Sequence, residues 1–282
     1  MTLSVVVVTW NSGPDIAACL DSLSPGCPME AIVIDNASRD DTLRQLEGRN
    51  DIRLVRNSRN LGYARANNQG IALARGELVL LLNPDTRVEP GALDRLVRCL
   101  DEDPALGAVA PRLVSPDGTT QQSVRAFPTA GSLLWELVGL ARLFPRNRRF
   151  GGWRMSWFDY DRPAEIDQPM ASCLIVRRSV LQQLGGFDET FPIFCNDVDL
   201  SYRMKLAGWT TRYLPEARVV HRRGASTAQA RPRMITESHR SLFRFLRKHD
   251  RSGLFWLKAV FLLPMLESTA VARRVLYRLR RR

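Results

Sequence analysis

Short apolar runs alternate with amphipathic stretches over the first two-thirds of the chain. Leu3–Thr9, Ala31–Asp35, Ile52–Arg56 and Glu77–Leu82 are too short for ordinary helices, and the most uniformly apolar of them leave no wet face, so they read as strands buried on both sides. Helices are expected between them. The first opens at Ser12, with Asp15 at capping-box spacing and Pro14 in its first turn, and runs to about Leu23. Ser38 and Asp41 form a second capping box, Gly62–Arg75 and Pro90–Leu100 read as further helices, and Ala108–Val114 as another strand. This rhythm predicts βαβ units, and hence an α/β fold with a Rossmann-like, mostly parallel sheet flanked by helices.

Between Ser123 and Gln168 the rhythm breaks into a stretch carrying Trp135, Trp153, Trp157, Phe158 and Tyr160 among Pro, Gly and Arg. Loops and short helices over a cleft are expected there, with aromatic rings able to stack on a sugar or to pack in the core. Order returns with a strand at Ala171–Arg177 and a helix to about Leu184, ended by Gly185-Gly186. A helix from Asp197 to about Ala207 is stopped by Gly208, and strands follow near Thr210–Leu214 and Arg218–His221. Its Leu200, Met204 and Leu206 can face the core.

Charge changes this picture only at the C-terminal end. Residues 221–282 hold 16 Lys/Arg against Glu237, Asp250 and Glu267, a net of +13, whereas residues 1–220 sum to −1. Residues 234–282 read as helices with Leu242, Phe243, Phe245 and Leu246 on one side and Arg240, Arg244, Arg247 and Lys248 on the other. Val271, Val275 and Leu279 repeat the arrangement beside Arg273, Arg274, Arg278 and Arg280–Arg282. Such a tail suits an anionic membrane surface or packs on the domain, and His239 and His249 within it read as solvated. No nucleic-acid module accompanies it. The longest apolar segment, Leu254–Leu266, has 13 residues and contains Lys258 and Pro264, short of the roughly 20 a spanning helix needs. With no signal peptide at the N-terminus, the expected location is cytoplasmic, peripheral on the inner face of the membrane. The five cysteines are scattered without a C-x-x-C pair, which argues against a zinc site or a disulfide framework.

Candidate chemistry gathers where strands end, because open α/β sheets hold ligands at the carboxyl edge. The run Leu78–Leu82 stops on Asn83-Pro84-Asp85-Thr86, which holds Asp85 on a rigid turn suited to a divalent cation. Asp35 follows Ile32-Val33-Ile34 and is placed to accept from a nucleotide base, with amides near Thr9 and Gly62 available to phosphate or ribose. Asn196-Asp197-Val198-Asp199 enters a helix among Phe187, Phe191, Phe194 and Cys195, where Asn196 is a natural N-cap and an apolar surround would raise a carboxylate toward the range of a general base. His221 is a metal ligand if Asp85 is one. Neither G-x-G-x-x-G after the first strand nor a G-x-x-x-x-G-K-[ST] loop is present.

Together these segments resemble the inverting family 2 glycosyltransferases of GT-A fold, in particular the bacterial rhamnosyltransferase-like members. The matching residues are Val6–Ser12, Val33–Asp40, Asn57–Gly70, Leu82–Thr86, Gly185–Glu189 and Asp197–Arg203. The resemblance implies a GT-A domain over 1–225, with a nucleotide-binding half at 1–115 and an acceptor-side half at 116–225, and leaves 226–282 as a basic amphipathic helical tail. It implies an enzyme that moves a sugar, rhamnose first, from a dTDP- or UDP-sugar to a saccharide or lipid-linked acceptor in cell-surface polysaccharide synthesis. Thr9, Asn11, Asp35, Asn36, Asn60, Gly62, Asn67 and Asn83 would line the nucleotide site. Asp85 and His221 would hold Mg²⁺ or Mn²⁺, Asp197 would be the base, and Trp153, Trp157 and Asp199 would face the acceptor. Two positions depart from the family pattern: Asn83 replaces the first Asp of its D-x-D motif, and Asn196 replaces the Glu of its Glu-Asp pair. Two alternatives stay open, an inactive scaffold on the same fold and a nucleotidyltransferase.

Overall fold

The apolar runs assemble into one sheet because each can be covered on both sides. A computed structural model of the chain describes residues 1–222, 231–250, 253 and 255–279, with side chains described except at 231–233, 258, 261, 270 and 272–279. Its first half holds β1 (Leu3–Thr9), α1 (Gly13–Asp21), β2 (Met29–Asp35), α2 (Thr42–Leu46), β3 (Ile52–Arg56), α3 (Tyr63–Leu73), β4 (Leu78–Leu82), β5 (Thr86–Val88), α4 (Ala92–Glu102) and β6 (Leu106–Val114). There follow β7 (Val124–Arg125), α5 (Ala130–Leu137), α6 (Leu140–Leu143), β8 (Ala164–Glu165), β9 (Gln168–Pro169), β10 (Cys173–Arg177), α7 (Arg178–Leu184), α8 (Asn196–Leu206), β11 (Thr210–His221), α9 (Arg231–His249) and α10 (Phe255–Leu279).

The main sheet has the order β3-β2-β1-β4-β10-β6-β11-β5, with β8 added on β11, while β7 and β9 pair separately. Strands β3, β2, β1 and β4 are mutually parallel and in register, so Thr9 lies beside Asp35 at their common carboxyl edge. The mostly parallel expectation holds there and between β6 and β11. Strand β10 runs the other way, with Cys173 opposite Leu82, because the long excursion after β6 returns the chain from the carboxyl edge.

Strand alternation divides the core. Val5, Val7, Leu80 and Leu82 pack with Ile16, Leu93 and Leu96 on one face, and Val6, Val8, Val79 and Leu81 with Ala66, Leu181 and Leu200 on the other. Helix α3 lies so close to β1 that a Cβ on Gly70 would sit 2.3 Å from Val6 Cγ1. A third cluster joins Leu133, Phe191, Cys195 and Val198 to Phe245, Leu246, Phe255, Ala259 and Leu262 of α9 and α10. The apolar side of α9 therefore packs on the domain.

Several local expectations change. Ser12 makes no side-chain cap to α1, and Ser38 makes none to α2, because its hydroxyl and amide both serve Asp35. The two expected strands near 210 and 218 are one, bent by a register shift between Leu214 and Arg218. Leu206 is exposed, whereas Leu200 and Met204 are buried. Neither tail histidine is solvated: His239 is buried, and His249 donates to Asp199. The expected basic stretch at Arg273, Arg274, Arg278 and Arg280–Arg282 lies outside the described side chains.

Candidate active site

The site is built from the ends of β1, β2 and β4, the turn before α8, and the last residue of β11. At the first two strand ends, the Asp35 carboxylate is 1% exposed and accepts from Thr9 Oγ1 at 3.0 Å and from the Ser38 amide at 3.1 Å. Ser38 Oγ also donates to Asp35 and accepts from the Asn11 amide, while Asn11 Oδ1 accepts from Arg39. Asn11 and Ala37 hold φ of 51° and 61°, a left-handed geometry that non-glycine residues adopt at tightly specified turns. The two loops are thus cross-braced around one carboxylate, which has lone-pair capacity left for a single further donor.

A second layer stiffens the wall formed by residues 60–62. Asn36 donates to Gly62 O and accepts from Asn57 and the Leu61 amide, and Asn57 exchanges amide hydrogen bonds with Gln69. Asn60 Oδ1 accepts from the Gly62 amide. Gly62 has φ +87°, and a Cβ there would meet Pro192 O at 3.0 Å, so this loop abuts the turn before α8. Asn67 lies one turn inside α3, buried, with its amide on Tyr63 O. That hydrogen bond stays within the helix.

Across the cleft mouth, Thr86 Oγ1 donates to Asn83 O, and Asn83 Nδ2 donates to Ser172 Oγ, closing the Asn-Pro-Asp-Thr turn. The next residues form β5, which pairs with the end of β11 so that Thr86 faces His221. That pairing sets Asp85 beside His221, with Nε2 3.5 Å from Oδ1, both side chains largely buried. Gln121 Oε1 lies 3.0 Å from His221 Nδ1, and Gln121 Nε2 donates to His221 O at 2.7 Å. An amide oxygen only accepts, so Nδ1 carries a proton and Nε2 is the ring nitrogen turned toward Asp85. A carboxylate beside an imidazole oriented in this way fits a divalent cation completed by oxygens from a ligand. Among the described residues no cluster of three or more His, Cys, Asp or Glu stands ready to hold a metal.

The third part is the turn into α8. Cys195 has φ +62°, and Asn196 is the first helical residue instead of the cap. The Asn196 amide donates to Ile193 O, and its Oδ1 accepts from the Asp197 amide at 2.7 Å. Asp197 accepts from the Val198 amide at 2.9 Å and from Gln168 Nε2 at 3.4 Å. Burial raises its carboxyl above the usual carboxylate range, against backbone hydrogen bonds and the Arg125 charge that pull it down. Arg125 stacks over Trp153, 5.6 Å from the ring centroid. The Trp153 indole N–H is buried without a hydrogen-bond partner among the described residues, and Trp157 is half-buried nearby in sequence. The two acidic foci meet at the half-buried Tyr63, whose phenol feels both Asp197 and Asp85 and donates to Ala171 O.

Asp199 does not face an acceptor. It is fully buried two residues along α8 and takes Arg203 at 2.7 Å, Lys248 at 2.6 Å and His249 at 2.7 Å. The helical offset turns it away from Asp197 and into the seam with α9. Gln121, Gln168 and Arg125 stand at the site without having been anticipated. Arg125 and Gln168 lie in the irregular stretch and Gln121 in the loop that leads into it after β6, where no periodicity marks a position as facing the cleft.

The family model described as glycosyl transferase family 2 matches residues 4–161. The chain is 34% identical over 270 residues to the N-acetylglucosaminyl-diphospho-decaprenol L-rhamnosyltransferase of Mycobacterium tuberculosis, covering 90% of this chain and 86% of that protein. Among solved structures, a mannosyltransferase from Pyrobaculum calidifontis in complex with GDP-Man and Mn²⁺ superposes with a TM-score of 0.59 at 20% identity, over 97% of this chain and 74% of that one. S. aureus TarS in complex with UDP-GlcNAc gives 0.57 at 20% identity, over 94% and 72%. These likenesses confirm the GT-A arrangement of the fold. The braced strand ends, the family model and the near full-length relative agree that the chain belongs to glycosyl transferase family 2.

Proposed function

We propose that this chain is an inverting transferase that moves L-rhamnose from dTDP-rhamnose to a lipid-linked saccharide diphosphate at the inner face of the membrane. The observation that carries this reading is Asp197, a half-buried carboxylate that accepts from the Val198 amide and Gln168 Nε2 in the turn into α8, its affinity for a proton raised by burial. The choice of sugar and acceptor is supported by the 34% identical relative, whose name states both. Asp35 accepts from the N3–H of the pyrimidine, within the loops of Thr9 and Asn11. The wall at Asn60 and Gly62, braced by Asn36, closes over the ribose, with Asn67 one turn further along α3. Asp85 and His221, with Asn83 shaping the turn, would hold Mg²⁺ or Mn²⁺, which when bound neutralises charge building on the departing diphosphate.

The acceptor hydroxyl oxygen forms its bond to the anomeric carbon as the bond to the diphosphate oxygen breaks on the opposite face. Asp197 takes the hydroxyl proton, and the configuration inverts. Gln168 orients that carboxylate, while Trp153 and Trp157 offer flat apolar surface to a sugar ring.

Isothermal titration with dTDP and UDP, each with and without Mn²⁺, tests the donor site. Metal-dependent binding that Asp85→Ala abolishes is expected, with dTDP tighter than UDP. Absence of nucleotide binding under every condition would overturn the roles of Asp35, Asn60 and Asp85 together.

A further inference from the structure

Helix α10 is apolar on both sides. Its inner residues Phe255, Ala259, Leu262 and Leu266 are buried against the domain, yet Trp256, Leu257, Val260 and Leu263 project from the other side, Trp256 and Val260 at 66% and 67% exposure. A helix that is apolar all round is normally covered on all sides. Among the described residues no helix is long and apolar enough to cross a membrane, and Pro264 interrupts this one. The single acidic residue of α10, Glu267, is exposed further along it. Over the N-terminal half, the described side chains that project outward are all apolar.

A second feature lies beside it. Helix α10 packs on α5, and α5 on α6. From α6 the chain runs through Leu140–Phe150, where Leu143 is 69% exposed and Phe144 nearly half exposed. Arg142, Arg146, Arg148 and Arg149 flank these two side chains, all exposed, and the segment contains no acidic residue. Beside α10, Arg247 of α9 lies 5.8 Å from the Trp256 ring centroid. Exposed aromatic and aliphatic side chains interleaved with arginines are the chemistry of the boundary between acyl chains and anionic headgroups.

We propose that the outer face of α10 together with the α6 segment lies on an anionic lipid surface, a docking that rests on the lipid-linked acceptor proposed above. The inner side of α10 shares its apolar cluster with Cys195 and Val198, which bracket Asp197. Docking by this face sets the base about one or two helix diameters, roughly 10–25 Å, from the headgroups, within reach of a saccharide carried on a lipid diphosphate.

The test is co-sedimentation of the full chain with vesicles of phosphatidylcholine containing phosphatidylglycerol, against vesicles of phosphatidylcholine alone. Two variants are compared: Trp256→Ser/Leu257→Ser/Val260→Ser, and Arg146→Gln/Arg148→Gln/Arg149→Gln. Salt-sensitive binding to the anionic vesicles is expected, reduced roughly tenfold or more in each variant while dTDP affinity is unchanged. The proposal falls if the wild type binds neither vesicle, if it binds both equally, or if either variant binds as the wild type does. It also falls if the wild type sediments as a dimer that the α10 variant converts to monomer, since the face then belongs to a second copy. Nucleotide titration reads the cleft and vesicle sedimentation reads the face, so the two readings fail separately.

Discussion

Replacing Asp199 by Asn should destabilise the protein strongly without entering the cleft. The carboxylate is fully buried and holds three partners, the cations Arg203 within α8 and Lys248 at the end of α9, and His249 beside Lys248. Removing one member of a buried ion cluster costs about 3–5 kcal/mol, because the remaining charges stay desolvated. Arg203 and Lys248 are 17% and 33% exposed and can partly rehydrate, which places the loss near the lower bound, about 3 kcal/mol. For a chain of this size that lowers Tm by roughly 6–12 °C. The sign with pH is fixed as well. Burial alone would raise this carboxyl, but the hydrogen bonds from His249 and Lys248 and the Arg203 charge hold it below its ordinary 3.8. A depressed carboxylate contributes stability that is fully present above its unfolded value and is lost as pH falls through the folded one. Urea unfolding at neutral and acid pH should therefore show a gap between wild type and variant that closes in acid. A variant within about 0.5 kcal/mol of wild type at neutral pH would refute the reasoning, as would a gap that persists well below the carboxylate range.

The neighbouring carboxylate should behave in the opposite way. Asp197→Asn should slow turnover roughly 10²–10⁴-fold. Its raised carboxyl opposes folding once pH passes the ordinary 3.8, so thermal melts at neutral pH should show the variant no less stable than wild type. Gln121→Leu should free the His221 ring and remove the acceptor that keeps the proton on Nδ1; Mn²⁺ titration in the presence of dTDP should show the metal requirement raised roughly 10–100-fold.

The strand ends are legible in the sequence because two-sided burial leaves an unmistakable mark, a short apolar run that stops on a polar turn. Asp35 and Asp85 carry that mark, Asp197 stands out instead by the phenylalanines around the start of its helix, and the sheet order makes neighbours of the loops at Thr9 and Asp35. What the chain did not announce were contacts between segments far apart in number. The pairing of β5 with β11 is one of them, since three residues carry no period, and it is this pairing that brings His221 to Asp85. Gln121 comes from the loop after β6 and Gln168 from the end of the irregular stretch, segments in which every polar residue looks alike until the backbone is in place. The apolar side of α9 was plain from its helical spacing, yet spacing cannot say whether such a face meets lipid or protein. The fold seats it on Phe191 and Val198 and leaves the outer side of α10 open. Local sequence determines which side chains share a face, because backbone geometry has a fixed period. Which faces are then covered depends on packing among distant elements, and that is settled by the competition for buried area in the folded chain.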